Sequence, residues 1–266
     1  MRLYLAVAQR SFRRHLAYRA ATLAGLFTNA VFGVLIAAVF TALYRSRAAE
    51  GGGGTIAGFD LAEMLVFVWI GQGLIMVLHL WGWWEVAQGI KSGDVVADLL
   101  KPFDFYAYWL SRDFGRAACQ VLVRFLPTLA LGVLLTDLAL PWSPLRWLAF
   151  ALSVVLGLLV GFALRFILNV SAFWLLDVRG IGYLAYSAVN FLSGFLIPLT
   201  FFPPWLRTIA EALPFRAMVM LPAEILLAKR PVAAALGVQL IWAVAMTLLA
   251  RALLTRGVRK LTVQGG

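Results

Sequence analysis

Charged side chains are scarce in this chain. Asp, Glu, Lys and Arg make up 13% of its 266 residues, where an average soluble domain holds about a quarter. The apolar share is 63%. A water-soluble globule of this size has too little interior to hide that much apolar surface, which excludes a soluble enzyme. Disorder is excluded by the same figures, since a disordered chain is polar and poor in aromatics. Cysteine is nearly missing. Cys119 stands alone in an apolar run, so no intrachain disulfide forms, and its thiol reads as a small buried apolar group. Histidine occurs twice, at His15 and His79, neither with a partner at metal-ligand spacing, so no metal site is expected. No G-x-x-x-x-G-K-[ST] phosphate loop occurs. The run Gly51-Gly52-Gly53-Gly54 lacks its strand, lysine and helix and reads as a flexible linker. The H-E-x-x-H and G-x-S-x-G patterns are missing as well, so no catalytic residue is expected.

What is present is apolar length. About 20 apolar residues carry a helix across the ~30 Å hydrocarbon layer. Six stretches qualify: 20–43, 64–84, 117–135, 147–176, 181–202 and 232–250. They are solid runs, not the alternating ten-residue segments of a membrane barrel. The expected fold is an all-α membrane protein, a single six-span domain over 20–266. The first run holds 24 uncharged residues behind Arg13-Arg14, longer than the about 7–15 of a secretory h-region, and reads as a retained span. Six spans place both termini on one side. Fourteen of the 23 Lys and Arg fall there, seven fall opposite, and Arg124 and Arg165 lie within spans. The richer side is expected to be cytoplasmic, in a multi-pass protein of a bacterial plasma membrane. The 12 acids divide evenly, leaving +8 on that side and +1 on the other. The overall +11 is therefore mostly an orientation signal, and membrane lipid rather than nucleic acid is the expected partner of the basic face.

Residues 1–19 spell a basic helix along the cytoplasmic interface. Arg10, Arg13 and Arg14 stand at helical spacing and Leu5, Phe12, Leu16 and Tyr18 supply apolar contacts. One continuous helix running into the first span fits equally. In the 2–3 loop, Ser92-Gly93-Asp94 breaks the chain, and Asp94 is placed to cap a short helix. Val95, Val96, Leu99 and Leu100 give that helix an apolar face, Asp98 and Lys101 a polar one, and Pro102 its end. Such a helix suits a groove in another protein, or rests at the interface without a partner. After span five, Pro203, Pro204, Pro214 and Pro222 cut 203–230 into short helices, re-entrant or lying on the outer surface. No Asp or Glu falls within an expected span, which disfavours a proton- or sodium-driven carrier. Arg165, about 27 Å along span four at 1.5 Å per residue, is expected to snorkel to the interface. Arg124 lies mid-membrane if span three starts near Phe114 and snorkels if it starts near Gln120. Asn29, Asn190 and Gln239 bond between helices or line a path. Trp69, Trp81, Trp83, Trp84, Trp109, Trp142, Trp147, Trp174 and Trp205 mostly fit an interfacial belt.

In their order, these features resemble a type-2 ABC transporter permease. Gly89-Ile90-Lys91-Ser92-Gly93-Asp94 through Leu99-Leu100-Lys101-Pro102-Phe103, on to Arg112 and Gly115, is similar to the small six-span bacterial exporter permeases that work with a separate ATPase. So are Pro203-Pro204-Trp205-Leu206 and Ala212-Leu213-Pro214-Phe215. The resemblance covers essentially the whole chain. It implies a coupling helix at Gly89, Lys91, Gly93, Asp94, Asp98, Lys101, Pro102 and Phe103, seated in an ATPase cleft, with Asp177 and Arg179 as a second contact. It implies an outer gate at Pro203, Trp205, Pro214 and Phe215. A path between this permease and a second, identical or homologous one would be lined by Asn29, Arg124, Tyr183, Tyr186 and Asn190. ATP and Mg would bind in the partner ATPase, with no cofactor in this chain. Members of the family export hydrophobic drugs, lipids or polysaccharides. An ATP-independent channel or carrier, and a non-transporting membrane scaffold subunit, are the alternative readings.

Overall fold

The computed structural model describes residues 2–17, 19–79, 82–136, 138–175 and 177–260. Tyr18, Trp81 and the end of the expected fourth span at Leu176 lie outside the described residues. Those described are helical, with one isolated bridge between Ile56 and Phe59 and no strand. The helices are α1 (Arg2–Ala17), α2 (Arg19–Ala49), α3 (Leu61–Leu78), α4 (Glu85–Ser92), α5 (Val95–Leu99) and α6 (Phe105–Gln120). There follow α7 (Leu126–Leu135), α8 (Pro144–Val170), α9 (Arg179–Leu192), α10 (Pro204–Ala212), α11 (Met220–Leu226) and α12 (Val232–Val258).

Five helical segments among the described residues are long and apolar enough to cross a membrane: Thr22–Ala49, Leu61–Leu78, Phe105–Leu135, Pro144–Phe173 and Val232–Val258. The expected fifth span, 181–202, is not one helix. α9 stops at Leu192, and Gly194 turns the chain out at φ +83, a left-handed conformation that glycine adopts without strain. Pro198 then blocks any restart before the short turn Leu199–Phe201. Apolar composition runs through this break unchanged, so hydropathy alone does not reveal it.

The third span starts earlier than 117. Asp104 caps α6, its side chain accepting the Ala107 N–H at 2.6 Å, and the helix carries Arg112, Asp113 and Arg116 with it. α6 joins α7 through a π-turn, Val121–Phe125, in which the Leu126 N–H reaches back to the Val121 carbonyl. Pro127, without an N–H to give, sits immediately beyond that widened turn. α3 is capped reciprocally by Asp60 and Glu63 and ends at His79 in the left-handed region, earlier than the expected 84.

α3 is apolar all round and occupies the centre, with 78% of its span buried, against 22% for the first and last spans. The core gathers around it from α6, α8, α11 and α12, with Trp69, Tyr106, Phe162 and Phe166 among its largest side chains. Several tryptophans assigned to an interfacial belt belong to this core. Trp69 is fully buried and donates its indole N–H to Thr136 Oγ1 at 3.0 Å, and Trp83 packs edge-on against Trp109 at 5.3 Å. α2 and α12 instead expose rows of large apolar residues, Leu23, Phe27 and Phe32 on one and Ile241 and Leu248 on the other.

Candidate functional site

The expected coupling residues gather at one end of the bundle, on a mount that begins at the end of α3. α4 has no side-chain cap of its own at Trp84. Its third N–H, from Ala87, is taken by Asn169 Oδ1 of α8 at 2.9 Å, while Asn169 Nδ2 donates to the carbonyls of Trp83 at 2.7 Å and Arg165 at 2.8 Å. A fully buried amide from a distant helix thus supplies the N-cap that the local sequence lacks. Gly93 ends α4 at φ +83. Asp94 does not cap α5: its backbone is already helical, and its carboxylate accepts from the Ser92 hydroxyl at 2.6 Å instead. Val95 is buried under the short helix, and Leu100 is 81% exposed at its end. Lys101 and Pro102 are exposed beside it, and Phe103 stacks on Tyr108 at 4.9 Å.

The two stretches assigned to coupling meet. Lys91 lies 3.5 Å from Asp177, so the last turn of α4 and the turn before α9 meet. The Arg179 backbone N–H donates to Asp177 at 3.0 Å and, with Lys91, lowers that carboxyl's pKa from its ordinary value. The Asp98 carboxylate, 2.6 Å from Lys101, raises the pKa of that exposed ammonium.

Behind this surface lies a cluster that spacing alone does not assemble. Asp113 pairs with Arg116 at 2.8 Å and with Arg165 at 2.6 Å. Arg116 also donates to the carbonyls of Met76 and Val77, and Arg165 to those of Leu78 and His79. Two arginines therefore satisfy the last carbonyls of α3, where the helix dipole is negative, and one carboxylate bridges them. Arg165 is 1% exposed, so it is locked rather than snorkelling. Asp113 belongs to the long helical segment Phe105–Leu135, whose helix starts before the expected span, and it sits at the level where α3 ends. Arg124 is also buried, its guanidinium packed where any side chain larger than that of Gly25 would collide. At the same end, Asp104 binds Arg251 of α12 at 2.8 and 3.2 Å, and its N–H donates to Tyr4 Oη of α1 at 3.1 Å.

The residues assigned to a path separate. Asn29 is buried and donates to the Gln72 carbonyl at 3.1 Å, joining α2 to α3. Tyr186 is buried, its oxygen accepting from the Trp83 N–H at 3.4 Å. Tyr183 is exposed and Asn190 half-buried, seven residues apart on α9.

Of the expected gate, Pro203 and Trp205 are exposed, Phe215 is half-buried and Pro214 is buried. The segment folds inward: α11 is buried throughout, and the Met220 N–H donates to the Ser193 carbonyl at 3.0 Å. Gln239 of α12 donates to the carbonyls of Ala217 at 2.7 Å and Ser153 at 3.0 Å and accepts from Ser153 Oγ at 2.8 Å. Gln239→Leu strands those groups, and a loss of about 1–3 kcal/mol is expected in thermal unfolding of the detergent-solubilised protein. An ion-pair web missed from sequence ties the segment's charges. Glu211 reaches Arg207 at 3.0 Å and Arg216 at 3.6 Å, Glu224 reaches Arg230 at 2.9 Å, and Lys229 pairs with Glu63 at the start of α3. Of these pairs, Arg207 and Glu211 stand at the i,i+4 spacing of one helix face.

No group of three or more metal-ligating side chains occurs among the described residues. The profile of one family, described as ABC-2 family transporter protein, matches residues 33–265. No curated protein and no solved structure gives a match.

Proposed function

The chain belongs to the ABC-2 transporter membrane family, and from that premise we propose that it is the permease subunit of an ABC exporter, driven by a separate ATPase that carries ATP and Mg. The ATPase docks on the surface made by α4, α5 and residues 177–179, and a second permease copy or homologue completes the path. The observation that carries this reading is the Lys91–Asp177 contact. In this platform it joins α4 to a turn distant in sequence, with Leu100 and the Asp98–Lys101 pair exposed beside the contact and Asn169 fixing the root of α4.

Six crossings fit the geometry. Tyr4, Asp104 and Arg251 meet at the platform end, so segments near both termini lie on one side. Five full-length helices need one further passage for that, and α9 with 193–202 makes it. That side is cytoplasmic by its arginine and lysine content. Tyr183 and Asn190, on the open side of α9, are the better candidates for lining the path. Asn29 and Tyr186 use their polar atoms inside the bundle.

The test exchanges Asp98→Lys with Lys101→Asp. The pair persists, reversed, so the local fold is kept while the two charges shown to the ATPase trade places. Together with Leu100→Asp, the exchange is expected to weaken association with the ATPase by about 2 kcal/mol, roughly 30-fold, and to remove permease-dependent ATP hydrolysis. Unchanged assembly and hydrolysis in reconstituted vesicles would overturn the docking assignment.

A further inference from the structure

We propose that α1 and α6 form a seat for the phosphate of an anionic phospholipid of the cytoplasmic leaflet. The inference rests on the orientation given above for the platform end.

α1 carries three separate stripes at helical spacing. Tyr4, Ala8, Ser11 and His15 face α6, where Ser11 Oγ donates to the Arg112 carbonyl at 2.7 Å. Leu5, Phe12 and Leu16 form a second stripe, with Leu5 59% and Leu16 47% exposed. In water that row is unfavourable; against acyl chains it is satisfied, so α1 rests at the membrane boundary. The third stripe carries Val7, Arg10 and Arg14. With Ser11, Tyr108 and Arg112 these line an open recess of about 420 Å3.

The recess lies at headgroup depth. Arg112 is one residue from Asp113, whose partners Arg116 and Arg165 bind the last carbonyls of α3, and so marks the level where that span ends. Two of its three arginine charges are uncompensated among the described residues. Arg112 pairs with Glu85 at 2.9 Å and lies over the Trp109 ring, whereas Arg10 and Arg14 have no carboxylate partner among the described residues. Two open guanidinium groups, four residues apart beside a third, match the several oxygens of a phosphate, which arginine binds through paired N–H donors. Phosphate chemistry supplies the missing negative charge, and the adjoining leucine stripe gives the acyl chains a place to lie. A soluble phosphate would use only the first of these features.

Three samples of the full chain decide it: wild type, Arg10→Gln with Arg14→Gln, and Arg13→Gln, whose arginine lies outside the recess. Each is reconstituted in phosphatidylcholine nanodiscs with a minor fraction of phosphatidylglycerol, and lipid retained after detergent extraction is counted by native mass spectrometry. Wild type and Arg13→Gln are expected to retain phosphatidylglycerol preferentially, and the double variant about tenfold less, with unchanged melting because both side chains are exposed and unpaired. Equal retention by all three overturns the proposal. Displacement of the lipid by inorganic phosphate at matched concentration makes this a free-phosphate site and overturns the lipid assignment. Loss of ATPase assembly with lipid retention unchanged makes the surface a protein contact and also overturns it. If the lipid difference holds while wild type fails to assemble with any ATPase, the seat stands and the exporter reading falls.

Discussion

Asp113→Leu is expected to prevent accumulation of folded protein. The substitution leaves Arg116 and Arg165 buried and facing each other without the carboxylate that lies 2.8 and 2.6 Å from them. Breaking a buried pair by removing one partner costs about 3–5 kcal/mol, and here one acid serves two bases. Against a total stability of about 5–15 kcal/mol, this is the largest effect of any single change described above. Adding Arg165→Met removes the stranded charge most deeply buried. Arg116 keeps the carbonyls of Met76 and Val77, so the double variant is expected to recover at least half of the lost stability. Thermal unfolding in detergent, with size-exclusion profiles of the solubilised protein, measures both. A single variant within about 1 kcal/mol of wild type would show that the cluster is not what holds the ends of α3, α6 and α8 together.

Asn169→Leu should separate the platform from the bundle. The substitution keeps roughly the same volume but strands the Ala87 N–H and the Trp83 carbonyl, each worth about 1–3 kcal/mol when buried and unpaired. α4 spans only Glu85–Ser92 and has no other side-chain cap, so the loss falls on an element too short to absorb it. Amide exchange across residues 85–103 is expected to rise at least about tenfold, and ATPase coupling to fail, with exchange in α3 and α8 little changed. Asn169→Asp keeps the acceptor for Ala87 and should retain part of the protection. Exchange at 85–103 equal to wild type in the leucine variant would remove Asn169 from its capping role.

These two residues mark what could be read from the sequence. The membrane class, the long apolar helices, the short helix after Gly93 and the proline-cut segment all follow from local pattern, since hydropathy and breakers act within a few residues. Asp113 stands before the apolar run that begins at 117, and charge near a span end reads as solvated. Its i,i+3 relation to Arg116 was visible, but the third partner lies 52 residues away on α8. Nothing near Asn169 in sequence tells that α4 lacks a cap. The break at Gly194 was hidden for the opposite reason: the residues on both sides of it are equally apolar.

α9 has one more property, which is mechanical. Near its start, Trp84 packs on Tyr186 at 5.7 Å and on Tyr183 at 6.4 Å, and the Trp83 N–H reaches the Tyr186 oxygen. At its far end the Ser193 carbonyl receives the Met220 N–H that opens α11. From Tyr183 to Ser193 the helix forms a strut about 15 Å long, stiff along its axis because its turns are hydrogen-bonded. The α4 root and the start of the buried α11 are thus joined through hydrogen-bonded helix, with no loop between the two contacts.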